Sequence, residues 1–285
     1  MTDFGVILVD KPAGITSFAV IRLLRKITGI KKIGHTGTLD PFASGLLPIC
    51  LGKATRIASK LTSSSKEYLV KMQLGIKTET GDTEGKIQEK QDISVIPRKQ
   101  IDEIIPQILK ISRQIPPKFS AIKIDGKRAY KLARENKEMV LKPRSVQIID
   151  FEIIAYEYPI LTYRTNVSKG TYIRVLSETI AEMLGTIGTT IELRRTRIGF
   201  LDVAGSTKLD SITQENWQKI LKPLPEIFPD ITKKEIADVT TFRNGGFLSV
   251  EDEDCTEIMI MSEDGKCLGL ARIEGGLLKP KMVFI

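Results

Sequence analysis

Along this chain the hydrophobic positions switch between a continuous apolar run, a two-residue alternation and a helical spacing, and the switches mark its elements. Gly5 to Val9 is an apolar run that ends in Asp10-Lys11-Pro12-Ala13-Gly14, which predicts a strand entering a tight loop. Thr16 and Ser17 then offer N-cap oxygens. Val20, Leu23, Leu24 and Ile27 follow at helical spacing, and Gly29 supplies a stop. A second apolar run, Leu46 to Leu51, follows the polar loop Gly34 to Pro41 and predicts a buried support beneath it. Leu69 to Leu74 alternates as a half-buried strand does, and the polar, turn-rich loop Thr78 to Gly85 is expected to move over a bound ligand. Ile101, Ile104, Ile105 and Ile108 line one side of a helix that Pro106 must kink or divide in two. Residues 145–168 are rich in β-branched and aromatic side chains and predict two strands around Glu157-Tyr158-Pro159. Ile173, Leu176, Ile180 and Leu184 form the apolar face of a further helix, stopped by Gly185. Ile187 to Phe200 reads as a terminal strand. The proline-bearing Leu221 to Asp230 reads as a linker. Beyond it, strands are expected at Cys255 to Met261, Cys267 to Arg272 and Met282 to Ile285, with Asn244-Gly245-Gly246 as a turn.

Composition narrows the class. A chain of 285 residues can bury a substantial core, and one large domain with a small one is the natural division. Cys50, Cys255 and Cys267 form no CxxC pair, so neither a disulfide framework nor a zinc site is expected, and one histidine excludes a histidine-rich metal site. The N-terminus resembles no signal or transit peptide and no apolar segment is long enough to span a bilayer, so a cytoplasmic setting is expected. The net charge of +8 suits a polyanionic partner, and its placement is informative. Residues 113–144 hold ten Lys or Arg against three Asp or Glu, a net +7. Lys118, Lys123, Lys127, Arg128, Lys131, Arg134 and Arg144 are among them, and such concentration favours a phosphate-binding surface over a merely solvated face.

Candidate chemistry converges on Gly34-His35-Thr36-Gly37-Thr38-Leu39-Asp40-Pro41, which carries the only histidine, two glycines and an aspartate. The downstream Gly52-Lys53 is not a phosphate-binding P-loop, because six residues separate Gly45 from Gly52 and Ala54 follows the lysine. GHTGTLDPFASGLLPICLGKATR, residues 34–56, instead resembles the catalytic motif of the TruB family of tRNA pseudouridine synthases. Three further stretches agree in order: KPAGITS at 11–17, KEY at 66–68 and GTYIR at 170–174.

The resemblance implies an α+β pseudouridine synthase fold. It would have a large mixed, mainly antiparallel sheet flanked by helices, an RNA-gripping insertion near 113–144, and a small mainly-β, PUA-like module. The division expected is residues 1–230 and 231–285. Asp40 would be the catalytic aspartate, Arg174 its cationic partner, and Tyr68 the ring that stacks on the target base. Leu193 would pack near that base, and His35 would enter the RNA loop in place of the flipped nucleotide. Lys11 and Pro12 would support the catalytic loop, with Lys11 counted among the substrate-binding residues beside Tyr172. Lys118, Lys123, Lys127, Arg128, Arg134 and Arg144 would grip the T-arm of tRNA. Arg194, Arg195 and Arg197 are further candidates for phosphate contact.

Pseudouridine formation breaks the N1–C1′ bond, turns the uracil and rejoins it through C5, so the base must leave its stack. The chemistry needs a carboxylate, a cation to orient it and an aromatic surface, with no redox step, metal or cofactor. An arginine partner is expected to lower the Asp40 pKa. Residue types leave open whether Asp40 attacks the sugar, attacks the base or abstracts a proton, and whether Tyr68 removes the C5 proton. The expected partner is tRNA alone, acting on a monomer without guide RNA or membrane. The alternatives are a guide-RNA-dependent synthase and a non-enzymatic RNA-folding protein on the same scaffold.

Overall fold

The computed structural model describes residues 4–124, 126–135 and 137–285. Met1 to Asp3 of the expected first domain, and Asp125, one of the three acids counted in the basic segment, lie outside them.

The elements that position the site are β1 (Gly5–Lys11), α1 (Ser17–Thr28), β2 (Ile33–His35), β3 (Ser44–Leu51), β4 (Lys66–Leu74), β5 (Ile148–Glu157), β6 (Ile160–Val167), α2 (Ile173–Met183), β7 (Gly188–Ile198) and β8 (Thr207–Lys208). Among the described residues the largest sheet has nine strands, and its main path runs β5-β6-β4-β7-β3-β1-β8. Only the β7–β3 and β1–β8 pairings on that path are parallel, so the sheet is mixed and mainly antiparallel.

Why β1 and β3 are continuously apolar follows from what covers them. Ile7, Val9, Leu47, Ile49 and Leu51 face a core shared with α1 and α2. Val6, Leu8, Leu46 and Cys50 face the other way, into a core shared with Met259, Met261, Cys267 and Leu270 of the C-terminal sheet and with Phe284 just beyond it. A strand covered on both faces has no solvent side on which to alternate. That C-terminal sheet has five strands, in the order Lys233–Glu235, Cys255–Met261, Cys267–Glu274, Leu277–Val283 and Leu248–Ser249.

Several local expectations are met. Thr16 caps α1 by accepting the Ala19 N–H at 3.0 Å, and Gly29 closes the helix at φ +71°. Pro106 divides its segment into helices Arg98–Glu103 and Ile105–Ile108. Others are corrected. Leu23 is exposed and Ile21 is buried in its place. The segment 187–200 is not terminal in the sheet: β7 lies at its centre, between β4 and β3. Its threonines and arginines mimic an exposed strand, yet Thr189, Thr190 and Arg195 are buried with hydrogen-bond partners. Nor is 221–230 a free linker, since Lys222 exchanges two backbone hydrogen bonds with Val6 and the side chains of Leu224 and Ile227 enter the core. Its prolines shape the short helix Leu224–Ile227 rather than a flexible tether. The Asn244-Gly245-Gly246 turn ends the helix Val239–Arg243.

The basic segment has a narrow base and a small head. Arg113–Gln114 pairs with Arg144–Ser145 at the base, and a hairpin of Lys123–Ile124 against Lys127–Arg128 leads into the helix Ala129–Arg134.

Candidate active site

Asp40 lies in the loop between β2 and β3, and five separate contacts fix that loop. Ser17 Oγ accepts the Leu39 N–H at 2.9 Å and donates to the Leu39 carbonyl at 3.1 Å. Gly14 N–H donates to the Pro41 carbonyl at 2.8 Å. Lys11 Nζ donates to the carbonyls of Pro12 and Ile15 at 2.8 Å and of Pro41 at 3.2 Å. Arg195 donates from Nε to the Leu46 carbonyl at 2.8 Å and from Nη2 to the Gly37 carbonyl at 3.2 Å. Thr62 Oγ1 donates to the Thr36 carbonyl at 3.1 Å. Gly45 is required where β3 begins: its φ is +101°, and a Cβ there would lie 2.3 Å from the Arg195 carbonyl oxygen.

From the first turn of α2, Arg174 reaches Asp40, its Nε standing 2.9 Å from Oδ2. Both terminal nitrogens of the guanidinium are engaged as well. Nη1 donates to the Thr80 carbonyl at 2.5 Å and lies 3.4 Å from Asp82 Oδ2, and Nη2 donates to the Phe119 carbonyl at 2.9 Å. Arg174 is thus a buried cation held by two carboxylates and two carbonyls, which is how a buried charge is sustained. Asp82 is itself held, accepting from Thr80 Oγ1 at 2.5 Å and from the Glu84 N–H at 2.9 Å on Oδ1. The loop 78–85 is thus anchored beside Arg174, outside the lining of the cleft. Its Gly81 carbonyl accepts the Thr190 N–H of β7 at 3.1 Å.

The electrostatic outcome differs from the simple expectation. Burial pushes the Asp40 carboxyl above the ordinary carboxylate range; Arg174 pulls it back, and Asp82 pushes it further up. Two carboxylates share one guanidinium, so the arginine orients Asp40 without overcoming the cost of its burial.

Above this pair opens a cleft of about 570 Å³, lined by Asp40, Tyr68, Leu193, Tyr172, Ile122 and Arg144 among others. Tyr68 and Leu193 come from the paired central strands β4 and β7 and give the cleft an apolar and aromatic wall. Tyr172 caps the entry to α2, and Gln114 of the insertion base accepts its N–H at 3.0 Å. Burial raises the Tyr172 phenol above its usual value. Lys66 also lines the cleft, but its Nζ is spent on the carbonyls of Leu61, Thr62 and Ser64. Burial brings its pKa down to about 8.

His35 lies outside the cleft lining. It is half-buried, its Nδ1 accepts the Gly37 N–H at 3.3 Å, and burial together with nearby Arg195 lowers its pKa. Lys11 is wholly buried, with its pKa lowered by burial to about 8, so it holds the loop from beneath and does not present itself to a substrate. Arg194, Arg195 and Arg197 each have partners within the protein, although only Arg195 is buried and Arg197 stays exposed. Arg194 makes a bidentate pair with Asp10 at 2.8 and 2.9 Å, and Arg197 pairs with Asp202 at 3.1 Å. Lys118, Lys123, Lys127, Arg128, Arg134 and Arg144 are exposed, and none reaches a carboxylate among the described residues. Arg134 lies 5.9 Å from the centre of the Tyr130 ring.

Asp82 is the residue that sequence reasoning missed; Ser17, Arg195 and Lys66 were noted, but as a cap, a phosphate-contact candidate and a motif position, not as the donors that fix the site. Asp82 sits in a loop whose Gly, Thr and acidic residues look like an exposed turn, and only the fold turns it inward. Ser17 was legible only as a helix cap.

Residues 25–173 match the TruB family pseudouridylate synthase N-terminal domain. The tRNA pseudouridine synthase B of Clostridium tetani is 38% identical over 276 residues, covering 94% of this chain and 95% of that protein. Its namesake from Hydrogenovibrio crunogenus is 34% identical over 98% of this chain and 93% of its own length. A solved structure of an H/ACA ribonucleoprotein bound to a substrate RNA containing 2′-deoxyuridine contains a chain that matches with a TM-score of 0.71 at 25% identity, covering 99% of this chain and 86% of that one. With three of the four motifs lining one cleft and the fourth bonded to the loop of Asp40, this chain belongs to the TruB family of pseudouridylate synthases.

Proposed function

We propose that this protein converts the uridine at position 55, in the T-loop of tRNA, to pseudouridine, acting as a monomer in the cytoplasm without guide RNA or cofactor. The observation that carries the reading is the Asp40–Arg174 pair on the floor of a cleft walled by Tyr68 and Leu193. A nucleotide extruded from the T-loop finds there a ring to stack on, an apolar side chain to pack beside and a carboxylate at its reacting centre. Arg174 keeps that carboxylate in one orientation, so little rearrangement remains when the glycosidic bond breaks.

The curated relatives bear the name tRNA pseudouridine synthase B at 34–38% identity, against 25% for the ribonucleoprotein chain, which supports the guide-free reading. The exposed cations of 113–144 stand beside the cleft through Arg144 and are suited to the phosphates of the T-arm. The strand-rich residues 231–285 are assigned as a PUA-like module. Tritium release from C5-labelled uridine in an unmodified T-arm stem-loop tests the proposal. Release by the wild type and none by Asp40→Asn, with RNA binding retained, is expected. Binding without release by the wild type would move the weight to a guided enzyme or an RNA-folding protein.

A further inference from the structure

Residues 113–144 are not the only seat of positive charge. From Lys11 to Lys66 the chain carries ten Lys or Arg and a single acid, Asp40 itself, a net +9 that exceeds the whole-chain excess of +8. Some of these cations are framework: Lys11 and Lys66 are buried, and Lys60 pairs with Glu257. Those of α1 are not. Phe18, Arg22, Arg25 and Lys26 fall at positions i, i+4, i+7 and i+8, on one exposed stripe of the helix opposite the buried Val20, Ile21 and Leu24. Lys31 continues the exposed charge just past the helix end. None of these cations reaches a carboxylate among the described residues.

The helix dipole accounts for Arg25 and Lys26, which stand in the last turn. It does not account for Arg22, nor for the lack of any acid between Lys11 and Leu39. Arg22 is held by a ring: its guanidinium carbon lies 5.8 Å from the centre of the Phe18 ring, and Phe18 is 58% exposed. An arginine beside an aromatic ring keeps its charge for a further partner, whereas one paired with a carboxylate does not. The stripe also starts at the right place. Ser17, the neighbour of Phe18, is bonded to Leu39 next to the catalytic aspartate, so the helix begins at the residues that support the cleft and runs on for about 18 Å.

We infer that the outer face of α1, Phe18, Arg22, Arg25 and Lys26 with Lys31 beyond, is a second RNA-binding surface that takes the ribose-phosphate backbone of the substrate outside the flipped nucleotide. It rests on the tRNA reading above. The insertion and α1 then supply two separate charged surfaces for one RNA, the geometry that fixes an RNA's orientation better than a single patch can.

The test is the double variant Arg22→Glu with Lys26→Glu, assayed by tritium release with full-length tRNA across a salt series. The expected result is a KM raised about tenfold or more with kcat unchanged, and a log–log salt dependence shallower by about one to two units. The charge-matched control Lys99→Glu with Lys219→Glu, at exposed sites elsewhere, is expected to behave as wild type. The neutral pair Arg22→Gln with Lys26→Gln should give a smaller rise in KM of the same kind, and thermal melts of both pairs show that the fold is intact. An unchanged KM and salt dependence, an equal change in the control, or a fall in kcat alone would each overturn the inference. If the wild type binds RNA but releases no tritium, the functional reading fails separately, and direct RNA binding by the same variants still decides whether this face is used.

Discussion

The floor of the cleft and the insertion beside it are built from the same two residue types put to opposite uses. On the floor, Lys11, Lys66, Arg174 and Arg195 are buried, and their donors end on backbone carbonyls or on carboxylates inside the protein. On the insertion, Lys118, Lys123, Lys127, Arg128 and Arg144 stand exposed with no acidic partner among the described residues. A cation whose donors are all spent is framework, and removing it leaves several acceptors unpaired. A cation with free donors is an offer to phosphate, and removing it changes affinity, leaving the fold alone. The difference lies in hydrogen-bond saturation, which no count of charges along the chain reveals.

The sharpest way to break this distinction begins at Asp40. Asp40→Asn keeps the shape and discards the charge, and turnover is expected to fall by roughly 10⁴-fold or more while RNA binding persists, as tritium release and filter binding would show. Arg174→Lys comes next. Lysine offers one compact charge where the guanidinium meets two carboxylates and two carbonyls at once, so kcat is expected to fall roughly 10³-fold, in single-turnover assays that exclude binding effects. If the lysine variant proved nearly as active, Arg174 would be only a source of positive charge and its fork would not matter.

Lys11→Met carries the comparison into stability. The variant strips three carbonyls of their donor, and a loss of about 3 kcal/mol of unfolding free energy is expected in denaturant melts, with kcat falling about 100-fold as the Asp40 turn loosens. Affinity for RNA in the folded fraction should not change. The opposite pattern is expected of the combined Lys123→Glu, Lys127→Glu and Arg128→Glu variant. Its KM should rise about 30-fold with a shallower salt dependence, while kcat and the melting temperature stay where they were.

How much of this was legible in the sequence depends on the reach of the interactions involved. The apolar runs of β1 and β3, the Thr16 cap, the Gly29 stop and the division at Pro106 rest on neighbours a few residues away, and they were read correctly. The Asp40 loop and Arg174 were legible through the resemblance of their motifs to those of the TruB family, which implied the contact between them. What stayed hidden required the fold itself. Arg195 looks like an exposed strand arginine until β7 is placed at the centre of the sheet, where its guanidinium donates to the Leu46 and Gly37 carbonyls at the edge of the cleft. Residues 221–230 look like a tether until Val6 is seen to need a backbone partner on that side.

Asp82 is the residue on which sequence and structure disagree most, and its effect is the smallest and most specific expected. Asp82→Asn keeps Oδ1, which accepts from Thr80 and Glu84, and replaces only the charged oxygen facing Arg174. With the second carboxylate gone, Arg174 loses part of its tether and kcat is expected to fall about tenfold. The pH profile should move in the direction its electrostatics dictate. In the wild type the Asp40 carboxyl sits above its ordinary range, with Asp82 one of the influences that hold it there. If the ionised form of Asp40 is the one that works, activity falls as pH drops through that raised value. Neutralising Asp82 removes a negative neighbour, eases ionisation of Asp40 and shifts this acidic limb to lower pH. A variant that is slower yet keeps its activity further into acid would show that Asp82 acts on Asp40 through the charge the two share in Arg174. A slower variant with an unmoved limb would reduce Asp82 to a prop for the loop, and activity that falls with rising pH through this range, in place of an acidic limb, would mean that a proton on Asp40 is part of its working form.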